Sequence, residues 1–215
     1  MIVLDIEASG LDNGRNGIWQ IGALGFENPK NVFFGECRID DEDEIMLEAL
    51  ELIGKTEAEL RDNRKQSQKK LILAFLEWTK TCKNKISIGQ NIGWDLTFIQ
   101  NKCLRYGLRK GFSEFIGVRS IDLHALTQLI HYQINNRFLV GDHGRSDLSL
   151  SKIIGFCGIE DKRRIMSKGK IVEEGNPHNA LEDVRLTAEC FSRIFYGKKL
   201  FEEFEGFPLP SYLIK

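Results

Sequence analysis

Asp5 and Glu7 stand one residue apart in the opening stretch Met1-Ile-Val-Leu-Asp-Ile-Glu-Ala-Ser-Gly-Leu11. Ile2, Val3, Leu4 and Ile6 make an apolar, β-branched run that reads as a buried strand, which Gly10 ends. Alternate side chains of a strand share a face, so both carboxylates point the same way. Two anions side by side on a core strand repel each other and resist burial. A cation between them relieves both effects, and paired hard oxygen ligands suit Mg²⁺ or Mn²⁺. An edge strand with a solvated acidic face fits the same residues, and this stretch alone does not separate the two readings.

Two later junctions carry further candidates. Ile86-Ser-Ile-Gly-Gln-Asn91 reads as a strand, and the helix after it opens near Asp95. An Asp there is most often a cap or a first-turn acid. In Asn176-Pro-His-Asn-Ala-Leu-Glu-Asp-Val184, Asn179 can cap a helix, with Glu182 closing a capping box. The cap accounts for Glu182 but leaves Asp183, an acid between Leu181, Val184 and Leu186 on a helix whose apolar stripe needs a sheet. His178 sits in the entering loop, which reads as a mobile shoulder.

The elements that would position these residues alternate in period. After the first strand, Ile18–Phe26 and Val32–Ile39 read as strands joined by short turns, hence an antiparallel meander. Glu44–Ile53 reads as a short helix stopped by Gly54, and Thr56-Glu-Ala-Glu59 is a capping-box pattern. Leu71, Phe75, Leu76 and Trp78 recur at helical spacing within 66–81. Strands at 86–91 and 118–122 then precede helices at 95–106 and 123–133. A shorter helix covers 148–156, a charged segment covers 160–174, and a long helix covers 180–195. A meander followed by alternating strands and helices gives an α/β chain: a mixed five-stranded sheet with helices packed on it.

Asp-x-Glu on an opening strand, Gly-x-Asn-x-x-x-Asp at Gly89–Asp95 and His-x-x-x-x-Asp at His178–Asp183 together resemble the three motifs of the DEDD exonucleases. A His five residues before the last Asp resembles the DEDDh branch, which includes ribonuclease T, oligoribonuclease and bacterial proofreading subunits. The resemblance spans nearly the whole chain and implies a ribonuclease H-like fold over 1–205; the apolar, proline-broken segment 206–215 reads by itself as an extended C-terminal tail docked across the body, with contact to a second subunit or partner as the weaker reading. The resemblance implies that Asp5, Glu7, Asp95 and Asp183 bind two Mg²⁺ ions, with Mn²⁺ able to substitute, and that His178 is the general base. It further implies that Ala8, Ser9, Gly10 and Leu11 grip a terminal nucleotide, with Asn91 beside them. Ala8 stands where the family usually has Thr, and Gln90 and Trp94 stand where it often has His and Phe, which bears on how a substrate end is held.

The chemistry fits these residue types. Two divalent ions need about four carboxylates to balance them and can stabilise the attacking and leaving oxygens of a phosphodiester. A His with an ordinary pKa of about 6.5 can take a proton at neutral pH, and a loop can deliver it as the site closes. The implied activity is 3′→5′ exonucleolytic hydrolysis of DNA or RNA to nucleoside 5′-monophosphates. The rivals are a nucleic-acid-binding or scaffold protein that kept the fold without turnover, and a hydrolase using Ser9 and His178 as nucleophile and base.

Composition restricts the partners. The 215 residues carry 30 basic and 31 acidic side chains, so no global basic field recruits nucleic acid. The basic clusters at 61–70, 105–110 and 161–170 read as solvated faces, the last being the best candidate for a phosphate-contacting flap. Asp122 reads as a hydrogen-bonded structural acid, His124, His131 and His143 as helix-face or loop residues, and Trp19 and Trp94 as core. No apolar run is long enough to cross a membrane. Five scattered cysteines read as reduced core thiols in a cytoplasmic protein. The expected partner is nucleic acid with a 3′ end, with a homodimer or a polymerase partner left open.

Overall fold

The computed structural model describes residues 1–167 and 170–214. Three strands open the chain: β1 (Ile2–Ala8), β2 (Ile18–Gly25) and β3 (Asn28–Glu36). Three helices follow, α1 (Leu47–Ile53), α2 (Glu57–Leu60) and α3 (Gln68–Thr79), then β4 (Ser87–Gly89) and α4 (Gly93–Arg105). After these come α5 (Arg109–Phe115), β5 (Ser120–Asp122), α6 (Leu123–Asn135) and α7 (Leu150–Phe156). A hairpin, β6 (Ile165–Ser167) and β7 (Lys170–Glu173), leads to α8 (Ala180–Phe191), which continues as one π turn at Ser192–Tyr196. The main sheet has the order β3-β2-β1-β4-β5, with β1–β3 antiparallel and β4 and β5 parallel to β1.

β1 is the central strand, and its parity divides the molecule. Ile2, Leu4 and Ile6 join Ile21, Ala23, Phe75, Leu96 and Ile99 in a core under α3 and α4. Val3 joins Leu24, Ile88, Val184, Ala188 and Phe191 in a second core under α6–α8. Asp5 and Glu7 have the parity of Val3, so they face α8. Both faces of β2 are buried, as expected of a strand covered on both sides.

Gly54 ends α1 in the left-handed conformation, and Thr56 and Glu59 form the capping box that the sequence predicts. Two elements differ from the sequence reading. α5 lies where the sequence shows a basic cluster; seven residues with Gly111 inside are too few to establish a period. The hairpin β6–β7 lies within the charged segment 160–174, where neither face is apolar enough to announce a strand. The tail is not extended throughout: it makes a 3₁₀ turn at Ser211–Leu213 that buries Leu213. Arg193, fully buried, holds this end of the chain. It pairs with Glu189 at 2.6 Å and donates to the carbonyls of Cys157, Phe204 and Phe207 at 2.9–3.2 Å. The five cysteines are buried free thiols. Among the described residues, no helix is long and apolar enough to cross a membrane.

Candidate active site

The acids converge at the C-terminal end of β1. β4 pairs with β1 only at Ile2 and Val3, so the Ile6 N–H, between the two acids, has no strand partner on that side. The Asp95 Oδ1 accepts it at 3.0 Å from the first turn of α4. On the other flank, β2 receives the start of α8. Gln20 and Gly22 are the register partners of Glu7 and Asp5. The Gln20 Oε1 accepts the Ala180 N–H at 2.7 Å. Gly22 has no side chain, which lets the Ala180–Leu181 backbone lie directly on the strand: a Cβ at Gly22 would sit 2.5 Å from the Ala180 carbonyl carbon. Asn179 caps α8 by accepting the N–H groups of Leu181 and Glu182, while the Glu182 side chain is exposed. Asp183 therefore comes to rest over β1, 4% exposed.

Asp5, Glu7, Asp95 and Asp183 are thus gathered by three elements. Glu7, His178 and Asp183 each offer a ligand atom within 4.8 Å of the others. Burial, then the charges of Asp95 and Asp183, push the Asp5 carboxyl well above the usual range. Burial, then Asp183 and Asp95, do the same to Glu7. Burial also raises Asp95, to about 8, against the backbone N–H bonds that favour its anion. The Asp183 Oδ1 is buried without a hydrogen-bond partner. A buried carboxylate oxygen left bare, beside acids that resist ionisation, is what a cation site needs. This all-oxygen donor set, with one imidazole at its edge, fits Mg²⁺ or Mn²⁺.

His178 is docked on the body and not on a free shoulder. Its backbone N–H donates to the Leu52 carbonyl of α1 at 3.3 Å. Its ring Nε2 lies 2.9 Å from the Arg164 carbonyl. A carbonyl can only accept, so Nε2 carries a proton, and Nδ1 faces the site, 3.4 Å from the Asp183 Oδ2.

A cleft of about 310 Å³ opens over these groups. Its floor is Asp5, Glu7 and Asp183, and His178 stands at its side. Ala8, Gly10, Leu11 and Trp94 form one wall, and Ala49, Leu52 and Ile53 of α1 form another. Trp94, expected in the core, lines this cleft and donates to the Leu11 carbonyl at 3.3 Å, whereas Trp19 is buried. Ser9 is not in the cleft. It is buried, its hydroxyl donates to the Glu44 carbonyl at 2.6 Å and accepts from the Gly17 N–H at 2.9 Å, and no nucleophile is left there. Asn91 is exposed and does not line the cleft; it takes the left-handed conformation, its N–H held by Asp122 at 3.1 Å. Asp122 also caps α6, as a structural acid should. His124 bonds Ser146, and His131 bonds the Arg137 carbonyl.

The flap reading of 161–170 needs correction at Arg163. This residue is 4% exposed and points inward, with Nη1 on the Asp183 Oδ2 at 2.9 Å and Nη2 on the Asp161 Oδ2 at 2.9 Å. Arg164 reaches the Glu51 carbonyl on α1 and lies 3.8 Å from Glu174. Lys162 and Lys170 are exposed, and Lys168 lies outside the described residues. Gln20, Gly22, Arg163, Arg164 and the α1 wall belong to no motif. A signal existed for Gln20, the one polar side chain in the strand Ile18-Trp-Gln-Ile-Gly-Ala-Leu-Gly25.

The sheet order β3-β2-β1-β4-β5 with its flanking helices is a ribonuclease H-like fold. The chain belongs to the exonuclease family of the DEDDh 3′–5′ type, whose sequence model matches residues 2–191. Solved structures of Escherichia coli exonuclease I are similar in fold. The complex with a dT13 oligonucleotide has 18% identity and a TM-score of 0.65, over 87% of this chain and 39% of that one. The complex with a 5cy-dT13 oligonucleotide has 17% identity and a TM-score of 0.68, over 92% of this chain and 40% of that one. The zinc-bound form with single-stranded DNA has 18% identity and a TM-score of 0.64, over 87% and 38%. This chain therefore spans less than half the length of these proteins. No curated protein matches it.

Proposed function

We propose that the protein is a metal-dependent 3′→5′ exonuclease that removes nucleoside 5′-monophosphates from single-stranded or frayed nucleic acid ends. The observation that carries this reading is the bare, buried Asp183 Oδ1 among carboxylates that burial and mutual repulsion hold above their ordinary pKa. Asp5, Glu7, Asp95 and Asp183 would hold two Mg²⁺ ions, or Mn²⁺ in their place. When bound, such ions stabilise charge on the attacking and leaving oxygens of a phosphodiester.

The protein groups then have defined tasks. His178 Nδ1 takes the proton of the attacking water, because Nε2 is committed to the Arg164 carbonyl. The Asp183 Oδ2 lies 3.4 Å away and stabilises the imidazolium that results. Leu11, largely exposed, and Trp94 offer apolar surface to terminal bases, and Gly10 lines the same cleft. The exonuclease I structures hold single-stranded oligonucleotides, which supports the substrate class. Five buried free cysteines fit a reducing, cytoplasmic setting.

The test is a panel of end-labelled DNA and RNA oligonucleotides with Mg²⁺, Mn²⁺ or chelator. Stepwise shortening from the 3′ end that stops in chelator is expected. Cleavage of a closed circle, or activity unaffected by chelator, rejects the reading. Metal binding without turnover on every substrate favours the scaffold alternative.

A further inference from the structure

Four carboxylates in one pocket need a compensating charge when no metal is bound, and the chain carries one. The Arg163 guanidinium is buried and fixed in a fork: Nε and Nη2 grip the two oxygens of Asp161 at 3.0 and 2.9 Å, and Nη2 also lies 3.3 Å from the Ser151 hydroxyl. Its remaining nitrogen, Nη1, meets the Asp183 Oδ2 at 2.9 Å. Asp183 is thus held so that Oδ1 alone is free. The next residue, Arg164, supplies the carbonyl that fixes His178. Backbone bonds in both directions between this segment and Asn176, at 2.8 and 2.9 Å, lock it to the loop that carries His178.

We propose that Arg163 is a resident counter-cation and a positioning residue: it occupies one oxygen of Asp183, leaves the other for metal, and ties that carboxylate to the carbonyl that orients His178. The inference rests on the nuclease reading of the site. A guanidinium stays charged at any working pH, so it stabilises the metal-free cluster permanently. It also opposes metal binding, because like charges repel across the short gap. The same residue should therefore weaken metal affinity and raise turnover.

The experiment compares wild type with R163M, R163K and D161N. Mn²⁺ alone is the probe, followed by calorimetry, with thermal melting in chelator and in Mn²⁺, and with kcat on a single-stranded oligonucleotide. R163M should melt lower in chelator and gain more from Mn²⁺. It should bind Mn²⁺ about tenfold tighter, the scale of one nearby unit charge. Its kcat should nonetheless fall about 10²-fold, as expected when a base and a ligand lose their alignment. R163K keeps the charge but not the fork, so it should restore wild-type Mn²⁺ affinity without restoring kcat. D161N leaves the guanidinium to Asp183 alone and should weaken Mn²⁺ binding several-fold, which tests the inference even if R163M does not fold. Affinity and kcat falling together in R163M, or Mn²⁺ affinity unchanged in both R163M and D161N, overturns it. Absence of Mn²⁺ binding by the wild type instead overturns the nuclease reading itself.

Discussion

Gly22→Ala adds one methyl group on the strand face that meets α8. The new Cβ would lie 2.5 Å from the Ala180 carbonyl carbon and 2.7 Å from the Leu181 nitrogen. Ordinary carbon contacts are about 3.5–4.0 Å, so α8 must retreat by about 1 Å. Neither obstructing atom belongs to a flexible side chain. The shift falls three residues before Asp183 and stretches the Gln20–Ala180 hydrogen bond, now 2.7 Å. Overpacking of this kind costs about 1–3 kcal/mol of stability, and a 1 Å misplacement can lower turnover about 10²-fold. At about 2–4 °C per kcal/mol, Tm should fall by roughly 2–12 °C. The assay is kcat on an end-labelled oligonucleotide, measured well below the mutant's Tm, with melting followed in parallel. A mutant that folds and keeps kcat within about twofold would refute the argument that this glycine sets the position of the last carboxylate.

Three further outcomes follow from the same geometry. His178→Ala should lower kcat by about 10²-fold or more while leaving Mn²⁺ affinity near wild type, and near-normal turnover across neutral pH removes His178 as the base. Asp95→Asn bears on pH: the native Asp95 pKa is raised to about 8, so the native state binds the proton more tightly than the unfolded chain does. Wild-type stability in chelator, relative to Asp95→Asn, should therefore fall as pH rises from the ordinary carboxylate range through about 8; a difference that is flat or of opposite slope contradicts the assignment. Arg193→Met leaves the buried Glu189 with its Leu200 and Phe201 N–H donors but no counter-charge, which costs about 3–5 kcal/mol, so Tm should drop by roughly 6–20 °C with kcat per folded molecule preserved; a drop of under about 2 °C means that the pair is not a stabilising clamp.

The reach of sequence reasoning followed the range of the interactions. Ile2 to Ile6 announced β1 because burial on a strand leaves a local pattern, and Asp5 and Glu7 shared a face because strand parity is local too. Asn179 and Thr56 announced helix starts through caps closed within three residues. The ribonuclease H-like fold itself came from the resemblance, and the five-stranded order bears it out. The docked state of His178 was not legible, because its ring is held by a carbonyl 14 positions away. Arg163 was misread as a surface cation because the residues that bury it lie far along the chain: Asp183 is 20 positions away. Ser9 followed the motif in sequence but turned inward, since its hydroxyl satisfies the Glu44 carbonyl 35 positions away.

The bond from Gln20 to Ala180 spans 160 positions, and it has a bearing on how the protein is made. A ribosome releases Asp5 and Glu7 well before His178 and Asp183. A nascent chain that already has its meander, α3 and α4 still lacks the helix that completes the acidic cluster, and it lacks His178 as well. The proposed hydrolytic centre therefore cannot form before Asp183 has been made. Contacts of such long range also form late in folding, after the local turns and helices around them. Synthesis from the N-terminus thus acts as a timer: the proposed catalyst stays inert beside its own messenger until α8 has emerged.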